Sequence, residues 1–387
     1  MRQDASPRHY ARDVRRVLVS LLQSTGTKGG IEVYARELYA QLGLIESEFE
    51  FVGFASTELA KTDTTWFPGD VINSGISGEN RFTWAAGELF GVSRAANRVG
   101  AHLIHGPAMF GPLWSSVPVV ISMHDLLYFS HPELMQTKLY TQPVKWMERR
   151  GAANAERLIT ISEYSARAIT RYLHFPEDRI DVIPLAARTG SLTMRSQIAR
   201  VGDLFLAIGQ RSPYKDFPTV VRAWAAIPEG SRPRLVITGS HSDDPLRPLV
   251  QQLGLERWVD LRSWVPTDEL TELFGTATAL IDSTLATGFS MPTLEAMAMG
   301  LPVVLADTEV FREVGADAAD FYRAGDPSDL ARAVIALGAD AERRAELTRR
   351  GLERTTQFSW ARVASETLTS FRAALDAPSS ALNEQSR

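Results

Sequence analysis

The chain has 387 residues, 44% of them hydrophobic and 22% charged, enough for two domains with sizeable cores. Its formal net charge of −5 offers no global basic field, so no nucleic-acid partner is expected. Cysteine is absent, which excludes disulfides, cysteine nucleophiles and thiolate metal sites and fits a reducing, cytoplasmic setting.

Met1–Arg16 is arginine-rich and lacks an apolar stretch of signal-peptide length. Nowhere do about 18 apolar residues run together, so no spanning helix is expected. Val17–Leu22 reads as a buried strand, followed by the loop Gln23–Gly30 and a helix over Ile31–Leu42, with apolar Val33, Tyr34, Leu38 and Leu42 at helical spacing. Further strands are expected at Phe49–Phe54, His102–His105, Val117–Met123 and Leu158–Ile161. Residues 62–90 are rich in Gly, Thr and Asn and read as a long irregular loop, a common carrier of function. Ser162-Glu163-Tyr164-Ser165 reads as a helix cap.

After a Thr/Gly/Ser-rich stretch at Thr189–Gln197 the pattern restarts. Strands are expected at Leu204–Gly209, Arg234–Gly239, Val259–Ser263, Ala279–Asp282 and Pro302–Leu305, with helices at Phe217–Ala226, Arg247–Leu253 and Asp268–Phe274. Such alternation implies parallel sheets in an α/β architecture. Trp360–Leu375 has one more helical pattern, and the polar tail from Ala377 reads as frayed.

Four segments carry candidate chemistry. Gly26-Thr27-Lys28-Gly29-Gly30 lies between a strand and a helix, where backbone amides can cradle phosphate; taken alone, an ordinary turn explains it better. Gly209-Gln210-Arg211-Ser212-Pro213-Tyr214-Lys215 puts two cations beside a turn, suited to a leaving diphosphate or simply to solvent. Thr287-Gly288-Phe289-Ser290-Met291-Pro292-Thr293-Leu294-Glu295 pairs a glycine turn with a helix start at Pro292, a setting that favours an anion, and puts Glu295 in the first helical turn. Gly300 and Pro302 stop that helix. His124-Asp125 ends an apolar run, where ligands of open α/β sheets bind. No Asp-x-Asp pair or zinc-spaced histidines occur, so no metal is expected.

The 287–295 stretch resembles the signature of retaining, nucleotide-sugar-dependent glycosyltransferases of family four (group 1), which have the GT-B fold. That signature has two glutamates around a Gly-Phe-Gly-Leu-Pro core. Glu295 matches the second; Thr287 stands in place of the first. The resemblance covers nearly the whole chain, and His124-Asp125-Leu126 with His131-Pro132-Glu133 resembles a mannosyltransferase-like branch.

The resemblance implies two Rossmann-like domains facing a central cleft. Residues 1–188 would form the acceptor domain, with helix 360–376 packing back on it, and residues 200–358 the donor domain; 377–387 would be a disordered tail. It implies a metal-independent transfer, with no cofactor, from a nucleotide sugar to a hydroxyl acceptor: a glycan, a lipid-linked sugar or a natural product. GDP-mannose is favoured, with UDP- and dTDP-sugars open. Arg211, Lys215 and His124 would be catalytic. Gly29, Gly30, Asp125, Gly209, Gly239, Val265, Thr287, Gly288, Phe289, Ser290, Met291, Thr293, Leu294 and Glu295 would hold the donor, Glu295 through the ribose hydroxyls. Trp264 reads as core or cleft wall. The segment Ala108–Val117 and the basic face of Lys138, Lys145, Arg149 and Arg150 suggest peripheral contact with the inner membrane face, or equally a solvated surface. Loss of the first glutamate also fits a weak or inactive GT-B protein supporting a partner transferase.

Overall fold

A computed structural model describes residues 14–26, 29–135, 138–188, 203–240 and 243–377, with the side chains of 138–140 excepted. Thr27 and Lys28 of the first glycine loop, the 189–202 connection and the tail from 378 lie outside the described residues. The chain divides into two compact units. One holds the described residues up to Ser122, Asn154–Arg157 and those from Leu368 on; the other holds Met123–Ala153 and Leu158–Thr367.

The strands form two sheets whose described pairings are all parallel. The first comprises β1 (Arg15–Leu21), β2 (Phe49–Ala55), β3 (Gly69–Asn73), β4 (Leu103–Gly106), β5 (Val119–Ser122), β6 (Arg157–Thr160) and β7 (Ile180–Val182), in the order β3-β2-β1-β4-β5-β6-β7. The second comprises β8 (Leu204–Ile208), β9 (Arg234–Ser240), β10 (Val259–Ser263), β11 (Ala279–Asp282), β12 (Val303–Ala306) and β13 (Asp320–Tyr322), in the order β10-β9-β8-β11-β12-β13. Both are Rossmann-like. Central strands such as β1 read as continuous apolar runs because helices cover both faces: Val17, Leu18 and Val19 are wholly buried.

In each sheet the strand order reverses at one point, between β1 and β4 and between β8 and β11. Crossovers leave in opposite directions there, so loops part and a crevice opens beyond the strand C-termini. Registers Val19↔His105 and Ala207↔Ile281 bring those strand ends side by side.

The core of the first unit includes a buried polar cluster. Tyr34 and His105 Nε2 meet Ser122 Oγ at 2.8 and 2.9 Å, and Tyr39 meets His105 Nδ1 at 2.5 Å. In the second unit, wholly buried Trp224 packs edge-on to Phe205 and donates to the Pro233 carbonyl at 2.8 Å. The Trp360–Asp376 helix donates from Trp360 Nε1 to Ala187 O at 2.9 Å; further along, Phe371 stacks edge-on to Phe49 and Arg372 forks onto Glu48.

Residues 62–90 differ from expectation. They contain β3, the Arg81–Ala86 helix and most of a π-helical turn at Gly87–Gly91. Strand β3 lies at the sheet edge with Asp70 and Asn73 exposed, so it carries no buried apolar run. The Arg81–Ala86 helix buries none of its residues and is held by Asn80, whose side chain accepts from the amides of Phe82 and Thr83 at 3.0 and 3.3 Å.

Candidate active site

The switch point of the second sheet collects three of the four predicted segments. Strand β8 ends at Ile208 and runs into Gly209 and the Arg211–Lys215 turn; β11 ends at Asp282 and runs into the loop before the Met291–Ala298 helix. The two connections are tied together. Leu285 N donates to Tyr214 O at 2.8 Å, and Ser283 Oγ to Lys215 O at 2.6 Å.

Asp282 organises the loop. One carboxylate oxygen accepts from the Thr284 amide at 3.2 Å and from the Thr284 hydroxyl; the other accepts from Ser290 Oγ at 2.7 Å and Thr293 Oγ1 at 3.4 Å. Lys215 Nζ donates to Thr284 Oγ1 at 3.0 Å. A cation, a hydroxyl, a buried carboxylate and the helix N-cap Ser290 thus form one hydrogen-bonded chain. It lies where the dipole and unsatisfied amides of a helix start favour an anion.

The two predicted cations separate. Arg211 engages all five N–H donors within the protein: Nε and Nη2 grip Asp244 at 3.1 and 2.8 Å, Nη2 also reaches Ile237 O, and Nη1 bonds the Gly209 and Thr238 carbonyls at 2.8 Å each. Its guanidinium lies 4.9 Å from the Phe217 ring centre, and its side chain is 6% exposed. Here Arg211 braces the loop, while Lys215 is the half-buried cation beside the helix start. Gly209 and Gly239 end adjacent strands at φ 146° and 95°; a Cβ on Gly239 would sit 2.7 Å from the Gly209 carbonyl oxygen.

The signature helix begins one residue earlier than its proline suggests. Ser290 caps Met291–Ala298, so Glu295 lies in the second turn rather than the first. Its carboxylate is 3% exposed and faces Arg188, whose Nε and Nη2 meet its two oxygens at 2.5 and 3.0 Å. Thr287 turns its hydroxyl back to the Phe289 carbonyl. Phe289 stacks edge-on to Phe358, Thr293 and Leu294 are buried, and Met291 is half-buried. At this loop, then, the side chains of Thr287, Phe289 and Thr293 turn back into the protein. Gly288 is seated against the fourth segment: a Cβ there would lie 2.2 Å from the His124 carbonyl oxygen and 2.9 Å from Asp125 Cβ.

His124 is buried, and its carbonyl accepts from Ser165 Oγ at 2.9 Å. Burial pushes the Asp125 carboxyl up to about 6, against a hydrogen bond from the Leu127 amide. Glu148, on the Lys138–Asn154 helix, is wholly buried with neither oxygen hydrogen-bonded. Burial, then the charge of Asp125, holds its carboxyl well above the usual range, against Lys145 and Arg149. Those two cations lie over the Phe129 ring, 5.1 and 4.8 Å from its centre, so part of the predicted basic face is engaged within the protein. Trp264 is 62% exposed and is not core; Val265 beside it is half-buried.

The first glycine loop carries its own anion. Glu32 accepts from the amides of Thr25 and Gly26 at 3.1 Å each and from Arg36 Nε at 3.1 Å. Gly29 and Gly30 open the Gly29–Leu42 helix with free space where a Cβ would stand. Among the described residues no three His, Cys, Asp or Glu side chains gather as metal ligands. A hollow lined by Arg234, Arg247 and Trp258 lies near the N-terminal ends of β9 and β10, away from the switch point.

Residues 195–354 match the family model "Glycosyl transferases group 1", and residues 28–189 match "Glycosyltransferase Family 4". The chain belongs to the group 1 glycosyltransferases. It is a glycosyltransferase of the GT-B fold that uses a nucleotide-sugar donor. It is 28% identical over 288 residues to O-antigen chain mannosyltransferase B of Escherichia coli, across 70% of this chain and 74% of that one. In fold it matches sucrose-phosphate synthase from Thermosynechococcus elongatus, with a TM-score of 0.72 at 18% identity, covering 94% of this chain and all of that one. Anabaena HepE, solved with UDP-glucose, matches with a TM-score of 0.69 at 17% identity, over 92% of this chain and 99% of that one.

The sequence did not single out Asp282, Asp244, Glu32 or Arg188. Asp282 alone had a local signal, as a carboxylate ending an apolar strand ahead of a capped helix. Arg188 and Glu295 are 107 positions apart, and nothing in either neighbourhood points to the other.

Proposed function

We propose that this glycosyltransferase retains anomeric configuration and moves a hexose from a nucleoside diphosphate to a hydroxyl acceptor without a metal. The observation that carries the reading is the Lys215–Thr284–Asp282–Ser290 chain at the β8/β11 switch point, which joins a cation to a helix start. Diphosphate is the anion such a pairing suits, and its charge grows as it leaves. In the step, the bond from sugar C1 to the diphosphate oxygen breaks and the acceptor oxygen bonds C1 on the same face. The acceptor proton passes to the departing phosphate oxygen. Lys215 stabilises that oxygen, with Arg211 bracing the loop.

Glu295 accepts the ribose hydroxyls, a match between a carboxylate and a vicinal diol. Backbone of residues 287–291 and His124, beside Gly288, approach the sugar. Gly209, Gly239 and Val265 line the nucleotide side. GDP-mannose is the favoured donor, supported by the His124-Asp125-Leu126 segment and by the mannosyltransferase relative. The acceptor is assigned to the first domain, residues 1–188, near Gly29 and Gly30, and the donor to residues 200–358. Peripheral membrane contact is assigned to the surface around Trp114.

Thermal unfolding with millimolar GDP, UDP, dTDP and their sugars tests this reading. One nucleoside diphosphate should raise the midpoint by about 5 °C. The Lys215→Met variant should lose most of that rise while its ligand-free midpoint stays within about 2 °C. If no nucleotide moves the wild-type midpoint, the donor site is lost; if the variant keeps the full rise, Lys215 is not part of it.

A further inference from the structure

We infer that the hollow at the N-terminal ends of β9 and β10 is a second ligand site, separate from the donor site, and that it takes a phosphate monoester of a ring compound. Sugar phosphates and nucleoside monophosphates share that chemistry.

The hollow holds about 370 Å³, within the range of small-molecule sites. Its walls are the starts of β9 and β10, the Arg247–Gln252 helix and the turn that leads from that helix to β10. Because the strands are parallel, it lies at the opposite end of the sheet from the switch point. The seven residues of β9 separate the two by about 20 Å. The turn is a firm support. Gly254 takes a left-handed φ of 65° there, and wholly buried Leu255 anchors it, its carbonyl accepting from the amides of Trp258 and Val259 at 2.9 Å each. The Trp258 carbonyl in turn accepts from the Leu235 amide of β9 at 2.8 Å.

Arg234, Arg247 and Arg257 all line this hollow, and all three are exposed. Among the described residues, no hydrogen bond or ion pair engages their guanidinium groups. Of the two carboxylates on the wall, Asp260 is taken by Arg262 Nε at 2.8 Å, which leaves Glu256. The hollow thus has an excess of positive charge in a chain of net charge −5. Like charges around one hollow repel, and an anion between them relieves that repulsion. A phosphate monoester carries about −1.5 to −2 at pH 7 and offers three acceptor oxygens, so it can meet more than one guanidinium fork. The half-buried Trp258 adds a flat apolar wall. An indole suits the face of a pyranose or a base, which makes the ester a better fit than the free ion.

Titration calorimetry on the full-length protein tests this, with mannose 6-phosphate, GMP, inorganic phosphate and mannose as probes. Wild type should bind at least one ester, about five-fold or more tighter than inorganic phosphate, and should not bind mannose. The tighter of the two esters identifies the source. Arg247→Gln with Arg257→Gln should weaken the ester about ten-fold or more while GDP binding stays as in wild type. Lys215→Met should do the reverse, losing GDP and keeping the ester. If neither ester binds wild type, the proposal is overturned. It is overturned equally if the ester survives in the double arginine variant, or if Lys215→Met loses it, since the ester then sits elsewhere. Inorganic phosphate binding as tightly as both esters overturns the assignment of a ring compound. Failure of GDP alone sinks the donor reading and leaves this site standing. Should the double variant not fold, Arg247→Gln by itself decides.

Discussion

Single residues in this protein are told apart by their partners rather than by their chemistry. Arg211 and Lys215 look equivalent in sequence, yet Arg211 has no N–H left over and Lys215 bonds one hydroxyl that relays to Asp282. Glu88, in the π-helical turn, shows the same dependence. It is 1% exposed, accepts from Ser20 Oγ at 2.8 Å through one oxygen, and leaves the other without a hydrogen bond. Burial pushes its carboxyl from 4.5 up to about 7, against Ser20 and Gln23. A carboxyl raised on folding binds its proton more tightly in the native state. Its cost is therefore absent below about pH 4.5, grows as pH rises, and is complete above about pH 7. The shift corresponds to at most about 3 kcal/mol. Glu88→Gln should raise the unfolding midpoint at pH 8 and leave it nearly unchanged at pH 4.5. Identical midpoint–pH curves for the two proteins would show that Glu88 does not titrate in this range.

At the scale of elements, the 282–300 segment works because its parts agree. Asp282 ends β11, Ser290 caps the helix with its hydroxyl bound to that carboxylate, and Gly300 at φ 69° follows the helix end. Between them Gly288 lets the loop lie directly on the His124 backbone. Gly288→Ala would put a methyl 2.2 Å from a carbonyl oxygen, so the loop must lift. Overpacking of this kind costs about 1–3 kcal/mol. Turnover per KM should fall by more than the stability loss alone implies, roughly ten-fold or beyond, because 1 Å at a reacting centre matters more than 1 Å elsewhere. A variant with normal kcat/KM would mean the loop is not seated as described. Two of the elements that escaped the sequence reading, the edge strand β3 and the six-residue Arg81–Ala86 helix, bury little, so neither leaves a periodic apolar trace.

At the scale of the whole molecule, net charge and surface pattern point in different directions. The chain carries −5 overall, yet Trp114 is 47% exposed, stacks 5.6 Å from Phe90 and lies under Arg94 at 5.8 Å; Phe82 on a nearby helix is 78% exposed. Aromatic rings with arginines suit the interface of an anionic bilayer, where each basic group adds about 1 kcal/mol. The protein should co-sediment with phosphatidylglycerol vesicles and far less with phosphatidylcholine ones. Trp114→Ser with Phe82→Ser should weaken that binding several-fold without altering the midpoint of unfolding. Equal sedimentation of wild type and the double variant removes this surface from membrane contact.

The sequence by itself determined the α/β class, nearly every central strand, the two-sheet plan and the positions of the four candidate segments. Each of these is written in local signals: apolar runs buried on both faces, glycine turns, a helix start at Pro292. Tertiary structure decided which partners those residues take. It put Arg211 on Asp244, Glu32 on the Thr25 and Gly26 amides, and Arg188 on Glu295. The physical reason is that a buried charge must find its partner across the fold. Arg211 and Asp244 are 33 positions apart and Arg188 and Glu295 107, so packing alone brings them together.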